Sequence, residues 1–164
     1  MKPFFAMATV FFLLVSFCGC SSGDTGDISF YYCRSPEQYR YFEEDGVICA
    51  ESRDLMGHRQ DLQYLVGLYL AGPLDEQLIS PFPKSVRLLS ANRQNDSICI
   101  ELTDHSSDMS DSEFSLACAC LTLTCIRYTG CSSVTVVSGA RSYTMDMDSI
   151  LLYDPLPQQE TIGG

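Results

Sequence analysis

Asp104-His105-Ser106-Ser107-Asp108 places carboxylates, an imidazole and two hydroxyls within five residues, the side-chain types used in nucleophilic hydrolysis. Catalytic triads assemble from distant segments, because adjacent residues cannot all aim at one reacting atom. The same residues suit a polar connection in which Ser and Asp satisfy loose backbone groups, and that is the expectation. His58, the only other histidine, is expected to be a solvated residue before a helix. Carboxylates are dense at Asp104, Asp108, Asp111 and Glu113, and again at Asp146 and Asp148. Their spacing lacks the glycine and the terminal bidentate Glu of an EF-hand calcium loop, so a solvated acidic rim is expected. Cys118 and Cys120 would point about 200° apart on a helix and cannot converge on one tetrahedral zinc. Cys118 and Cys125 do share a face, but it is an apolar stripe. No catalytic residue, no metal and no cofactor is expected, and the chain does not read as an enzyme.

The cysteine with the clearest chemistry is Cys20. Lys2 gives a short positive start, Pro3 to Phe17 form an uncharged and mostly apolar run, and Gly19-Cys20 follows. That run of roughly fifteen residues is short of the ~20 needed to span a bilayer and matches a secretory signal. Its end resembles the bacterial lipobox, in which cleavage precedes a cysteine whose sulfur carries a lipid. Cys20 is a better acceptor than Cys18, which would put bulky Phe17 where a small side chain is needed. Residues 1–19 are therefore read as a lipoprotein signal peptide and Cys20 as the lipid attachment residue, with ordinary secretion and an uncleaved anchor as the alternatives. The expected location is the extracytoplasmic face of the cell membrane, held by an acyl anchor such as palmitate.

Cleavage before Cys20 would leave 145 residues, enough for one domain with a proper core. That mature chain has 9 basic and 21 acidic residues, a net charge of −12, and Lys84 is its only lysine. Such a chain repels phosphates, so nucleic acid is excluded as a partner. It is also repelled by anionic lipid, so an acyl chain has to hold it at a membrane. After Cys20 come seven cysteines, Cys33, Cys49, Cys99, Cys118, Cys120, Cys125 and Cys131. In an oxidising compartment seven cysteines would suggest a disulfide framework. Seven is odd, however, and buried free thiols behave as small hydrophobes, which is the favoured reading. A Cys49–Cys99 bridge would require their strands to pair.

The elements that must position these residues follow from periodicity and punctuation. Residues 20–26 form a Ser/Gly/Asp tether. Ile28 to Cys33 and Val47 to Glu51 are predicted strands. Tyr39-Arg40-Tyr41-Phe42 between them fits a loop or a further strand equally well. Arg59 to Ala71 is a predicted helix, with Leu62, Leu65, Val66 and Tyr69 on one face and Gly72-Pro73 stopping it. Leu74 to Pro83 is a crossing loop with room for one helical turn at Asp75 to Leu78. Val86–Ala91 and Ser97–Leu102 form a hairpin about Arg93-Gln94-Asn95-Asp96. Ser110-Asp111-Ser112-Glu113 matches a capping box. It opens a helix to about Tyr128, with Phe114, Cys118, Leu121, Cys125 and Tyr128 on its main face and Gly130 as its cap. Val134 to Val137 is a strand, Tyr143 to Met145 a weaker one, and Ile150 to Tyr153 a closing strand. This ββαββαβ order implies an α+β domain over 27–154, with two helices on one face of a mostly antiparallel sheet. Residues 155–164 are read as a flexible tail.

Several of these segments, in order, resemble the GerMN domain, the family named for a sporulation and germination lipoprotein. The matching pieces are Leu70-Ala71-Gly72-Pro73 at the end of the first helix, Leu78 to Pro83 leading into Val86 to Ser90, and Ile100-Glu101-Leu102-Thr103. Thr122-Leu123-Thr124 in the second helix and the valine-rich strand Val134 to Val137 complete the match, over about residues 27–154. The resemblance implies an α+β domain similar to the ring-building modules of the sporulation secretion apparatus, with no catalytic residues to carry over. The function expected is thus a non-catalytic, lipid-anchored binding or assembly module in sporulation or spore germination. It would touch the membrane through its anchor and a protein or envelope component through its surface; Tyr39, Tyr41 and Phe42 are contact candidates, although packing against the first hairpin is the favoured reading for them. The alternative is a small envelope-associated lipoprotein that binds a ligand such as a peptidoglycan fragment.

Overall fold

The structure is a computed structural model that describes residues 27–35, 46–58, 60–104 and 108–151. Two sheets enclose the long helices. β1 (Asp27–Arg34) is rich in β-branched and aromatic residues and pairs antiparallel with β2 (Ile48–Asp54), from Asp27 opposite Asp54 to Cys33 opposite Ile48. The two-residue β3 (Leu78–Ile79) adds to the other edge of β1 at Cys33 and Arg34. The single turn expected at Asp75 to Leu78 is present just before it, closed by the Leu78 N–H donating to the Asp75 carbonyl at 3.1 Å. The second sheet has the order β4-β5-β6-β7, formed by Leu88–Gln94, Ser97–Leu102, Ser133–Ser138 and Arg141–Asp146. Four of the five pairings among the described residues are antiparallel; β5 and β6 are parallel, as the intervening helix requires.

Between β2 and β3 runs α1 (Leu62–Leu70), which buries Leu65, Val66 and Tyr69 and is capped by the Asp61 side chain, an acceptor from the Tyr64 N–H. The longest helix, α2 (Asp111–Thr129), starts at the capping box: Ser110 accepts from the Glu113 N–H while Glu113 accepts from the Ser110 N–H. It ends at Gly130 in the left-handed conformation, φ +67°. Both helices pack on the face of the second sheet that buries Ile98, Ile100, Leu102, Val134 and Val136. The α+β class, the mostly antiparallel pairing and the hairpin are as the sequence predicts. The division of the strands between two sheets is a feature the sequence did not reveal.

α2 differs from the one-faced helix expected. Every residue from Ala117 to Ile126 is buried, because the second sheet covers one side and β1 lies along the other. Its contact with β1 is made at the strand edge. Tyr31 donates its N–H to Thr124 Oγ1 at 3.0 Å, and Thr124 in turn donates to the Cys120 carbonyl. An aromatic series ties the layers together: Tyr32 stacks on Tyr69 at 4.9 Å, and edge-to-face contacts then run through Phe82 and Phe114 to Tyr143. Of the closing strand expected at Ile150 to Tyr153, Ile150 and Leu151 are helical, and Leu152 and Tyr153 lie outside the described residues. Met147–Leu151 form a short helix, α3, because Asp146 Oδ1 accepts from both the Ser149 N–H and its hydroxyl.

Candidate functional site

One stretch of α2 looks out of the core. Ser112, Leu116, Ala119, Leu123 and Arg127 succeed one another at three- and four-residue steps, so they form a stripe along one face. This stripe floors an open groove of about 460 Å³, walled by Tyr31 and Ile48 on one side and by Met147 and Ile150 on the other. The volume lies within the ~300–1,000 Å³ of small-molecule sites. Ala119, Leu123 and Ile150 form a small apolar cluster separate from the main core. Polar side chains enter the lining at the two ends: Ser112 and Ser115 by the first turn of α2, and Arg127 in its last turn. Arg127 is exposed and favoured there by the negative end of the helix dipole. Tyr31 lies against Thr124 and Cys33 against Cys120, so β1 and α2 run in opposite directions and β1 begins at the Arg127 end.

Behind the groove, the opposite face of the first sheet carries a buried ion pair. Arg53 donates to Glu51 and, through Nη2, to the Gly72 carbonyl at 2.6 Å. Its guanidinium carbon lies 5.1 and 5.4 Å from the ring centroids of Phe30 and Tyr32. Glu51 also accepts the N–H groups of Leu74 and Asp75 at 2.9 and 3.0 Å. Burial pushes the Glu51 carboxyl up, but Arg53 and the two backbone donors outweigh it and hold the group below its ordinary range. This pair fixes the loop after α1 onto the sheet and has no access to the groove.

The seven described cysteines are free. Cys118 and Cys125 lie in the core; burial pushes the Cys118 thiol up to about 12 and raises Cys125 as well. The sulfurs of Cys33 and Cys120 are 3.9 Å apart, and the Cys120 thiol is raised by its hydrogen bond to Cys33 and then by burial. Cys49 and Cys99 sit in different sheets, so the strand pairing that a bridge between them would need does not form. Cys49 instead accepts from Arg34 at 3.1 and 3.3 Å.

Two carboxylates of the acidic stretches serve helix ends. Glu113 closes the capping box and Asp146 caps α3, and the hydrogen bonds they accept lower both groups. Asp111 lies 3.6 Å from Arg141. Among the described residues no three His, Cys, Asp or Glu side chains gather as a metal set. His58 is exposed and stacks on Tyr64 at 4.1 Å. Cys20, the aromatic residues Tyr39, Tyr41 and Phe42, and His105, Ser106 and Ser107 lie outside the described residues. Sequence reasoning missed the groove. Its one signal was a second apolar series, Leu116, Ala119 and Leu123, offset from the main stripe and continued by Arg127.

No protein-family model matches the chain, and no curated protein matches it. The chain is similar to a solved structure from Clostridium perfringens, provisionally described as a lipoprotein. The identity is 17% and the TM-score 0.45, with 74% of this chain and 87% of that one covered. Among the described residues no helix is long and apolar enough to cross a membrane.

Proposed function

We propose that the chain is a lipid-anchored extracytoplasmic binding module, non-catalytic, whose working surface is the groove along α2. The observation that carries this reading is the groove itself, an apolar trough on a helix that the fold otherwise buries on every side. The signal-like run before Cys20 supports the anchor. The order of segments that resembles the GerMN family supports a setting in sporulation or germination. Peptidoglycan fragments, rich in hydroxyl, amide and charged groups, suit the groove poorly, because its middle is lined by Leu116, Ala119, Leu123 and Ile150.

Two measurements test the reading. Cys20→Ala should leave the precursor unprocessed or release the protein from the membrane fraction, and a mature N-terminus at Ser21 or later would refute the anchor. In a strain lacking the gene, Ala119→Phe should fail to restore the envelope or germination phenotype, whereas His105→Ala should restore it. A stably folded His105→Ala protein with complete loss of function would overturn the non-catalytic reading.

A further inference from the structure

Resting on that reading, we infer that the groove takes a single-chain acyl amphiphile with an anionic head, the acyl chain lying along Leu116, Ala119 and Leu123 and the head on Arg127. The first argument is shape and polarity. From Ser112 to Arg127 the stripe is ~22 Å long at the helical rise, a trough that is apolar in its middle and polar at its ends. Each methylene it removes from water is favourable, and a long chain supplies many. The second argument is charge. In a chain with 21 acidic and 10 basic residues, the groove ends at a guanidinium. Among the described residues Arg127 has no hydrogen-bond or ion-pair partner. A carboxylate or phosphate head would complete it. The third argument is place. β1 begins at the Arg127 end of α2, and with cleavage before Cys20 only the seven tether residues Cys20 to Gly26 would precede it. At ~3.3–3.6 Å per residue they reach about 25 Å at most. An anchor at Cys20 thus keeps the charged end of the groove within that distance of a bilayer, the source of such amphiphiles.

The experiment uses the full chain reconstituted in lipid nanodiscs and two photoactivatable probes, a diazirine-bearing palmitate and the matching neutral alcohol, with labelled peptides mapped by mass spectrometry. Palmitate should label residues of the groove floor and α3 and should outcompete the alcohol about fivefold, the scale of one exposed ion pair. Arg127→Gln should remove that preference without changing labelling by the alcohol. Ala119→Phe should abolish labelling by both. Arg127 is exposed, so its variant keeps the test decisive should Ala119→Phe lose its thermal transition. Equal labelling by the two probes, or labelling outside the groove, overturns the inference. Labelling that appears only after residues 152–164 are removed also overturns it and makes the chain's own C-terminal segment the occupant. The probes are added to purified protein, so the two readings fail separately. A wild type that does not label, alongside cells in which Ala119→Phe abolishes function, refutes the acyl ligand and leaves the binding module standing. Labelling in the nanodisc, alongside release of the protein from membranes in cells, refutes the anchor alone.

Discussion

Replacing Arg53 by Met removes the guanidinium and leaves an apolar side chain of similar length over Phe30 and Tyr32. Breaking one side of a buried ion pair costs about 3–5 kcal/mol, and Arg53 is only 6% exposed. Two features reduce the cost. Glu51 keeps the N–H donors of Leu74 and Asp75, and Met refills most of the volume. Against that, contacts of the cation with two rings are lost, about 1 kcal/mol each. The expected loss is about 3 kcal/mol, or about 10–15 °C in melting temperature for a domain of this size. Glu51→Gln should cost at least as much. It leaves the Arg53 charge buried with the Gly72 carbonyl, and half of the new amide faces backbone donors with N–H groups of its own. The sign of the pH dependence follows from the lowered Glu51 group. Its contribution is complete above the unfolded value of about 4.3 and is lost as pH falls through the lower folded value. Urea unfolding followed by far-UV circular dichroism, at pH 7 and through an acid series, measures all of this. A cost below about 1 kcal/mol for Arg53→Met would refute the argument, as would a Glu51→Gln protein that keeps the wild-type acid limb.

Cys118→Ala should cost about 1 kcal/mol, a small-cavity effect, and Cys118, pushed up to about 12, should resist native-state thiol labelling at pH 8; rapid modification seen by mass spectrometry would contradict its burial. Gly139→Ala should destabilise by about 1–3 kcal/mol, since Gly139 has φ +59° and an added Cβ would clash with the Asp104 carboxylate. The companion Asp104→Ala should recover part of that loss in the same urea assay.

Local signals carried much of the fold. The capping box at Ser110 and the glycine at 130 set both ends of α2, and the alternation of Ile98, Ile100 and Leu102 assigned the inner face of β5. Those features depend on residues a few positions apart. What failed depends on neighbours far along the chain. β3 exists because two residues complete the edge of β1, and nothing in Leu78-Ile79 alone distinguishes that from the crossing loop in which it lies. Likewise α2 is covered on two sides because β1 lies against it opposite the second sheet, although residues 117–126 carry no charge and so hinted at it. The groove was hidden for the same reason. Leu116, Ala119 and Leu123 look like ordinary core residues until the wall of Tyr31, Ile48 and Ile150 shows which side stays open.

Thr124 accepts the Tyr31 N–H from 93 residues further along the chain, and this sets a timetable. Until α2 has been made, the edge of β1 at Tyr31, beyond the two residues that β3 pairs, has no cover. During synthesis at ~5–20 residues per second, the first strand therefore waits roughly five to twenty seconds for its partner. A chain leaving the cell from its N-terminus would pass that interval without a finished domain to obstruct it. In an exported chain, the long-range contact that completes the structure would act as a delay, separating the time of passage from the time of folding.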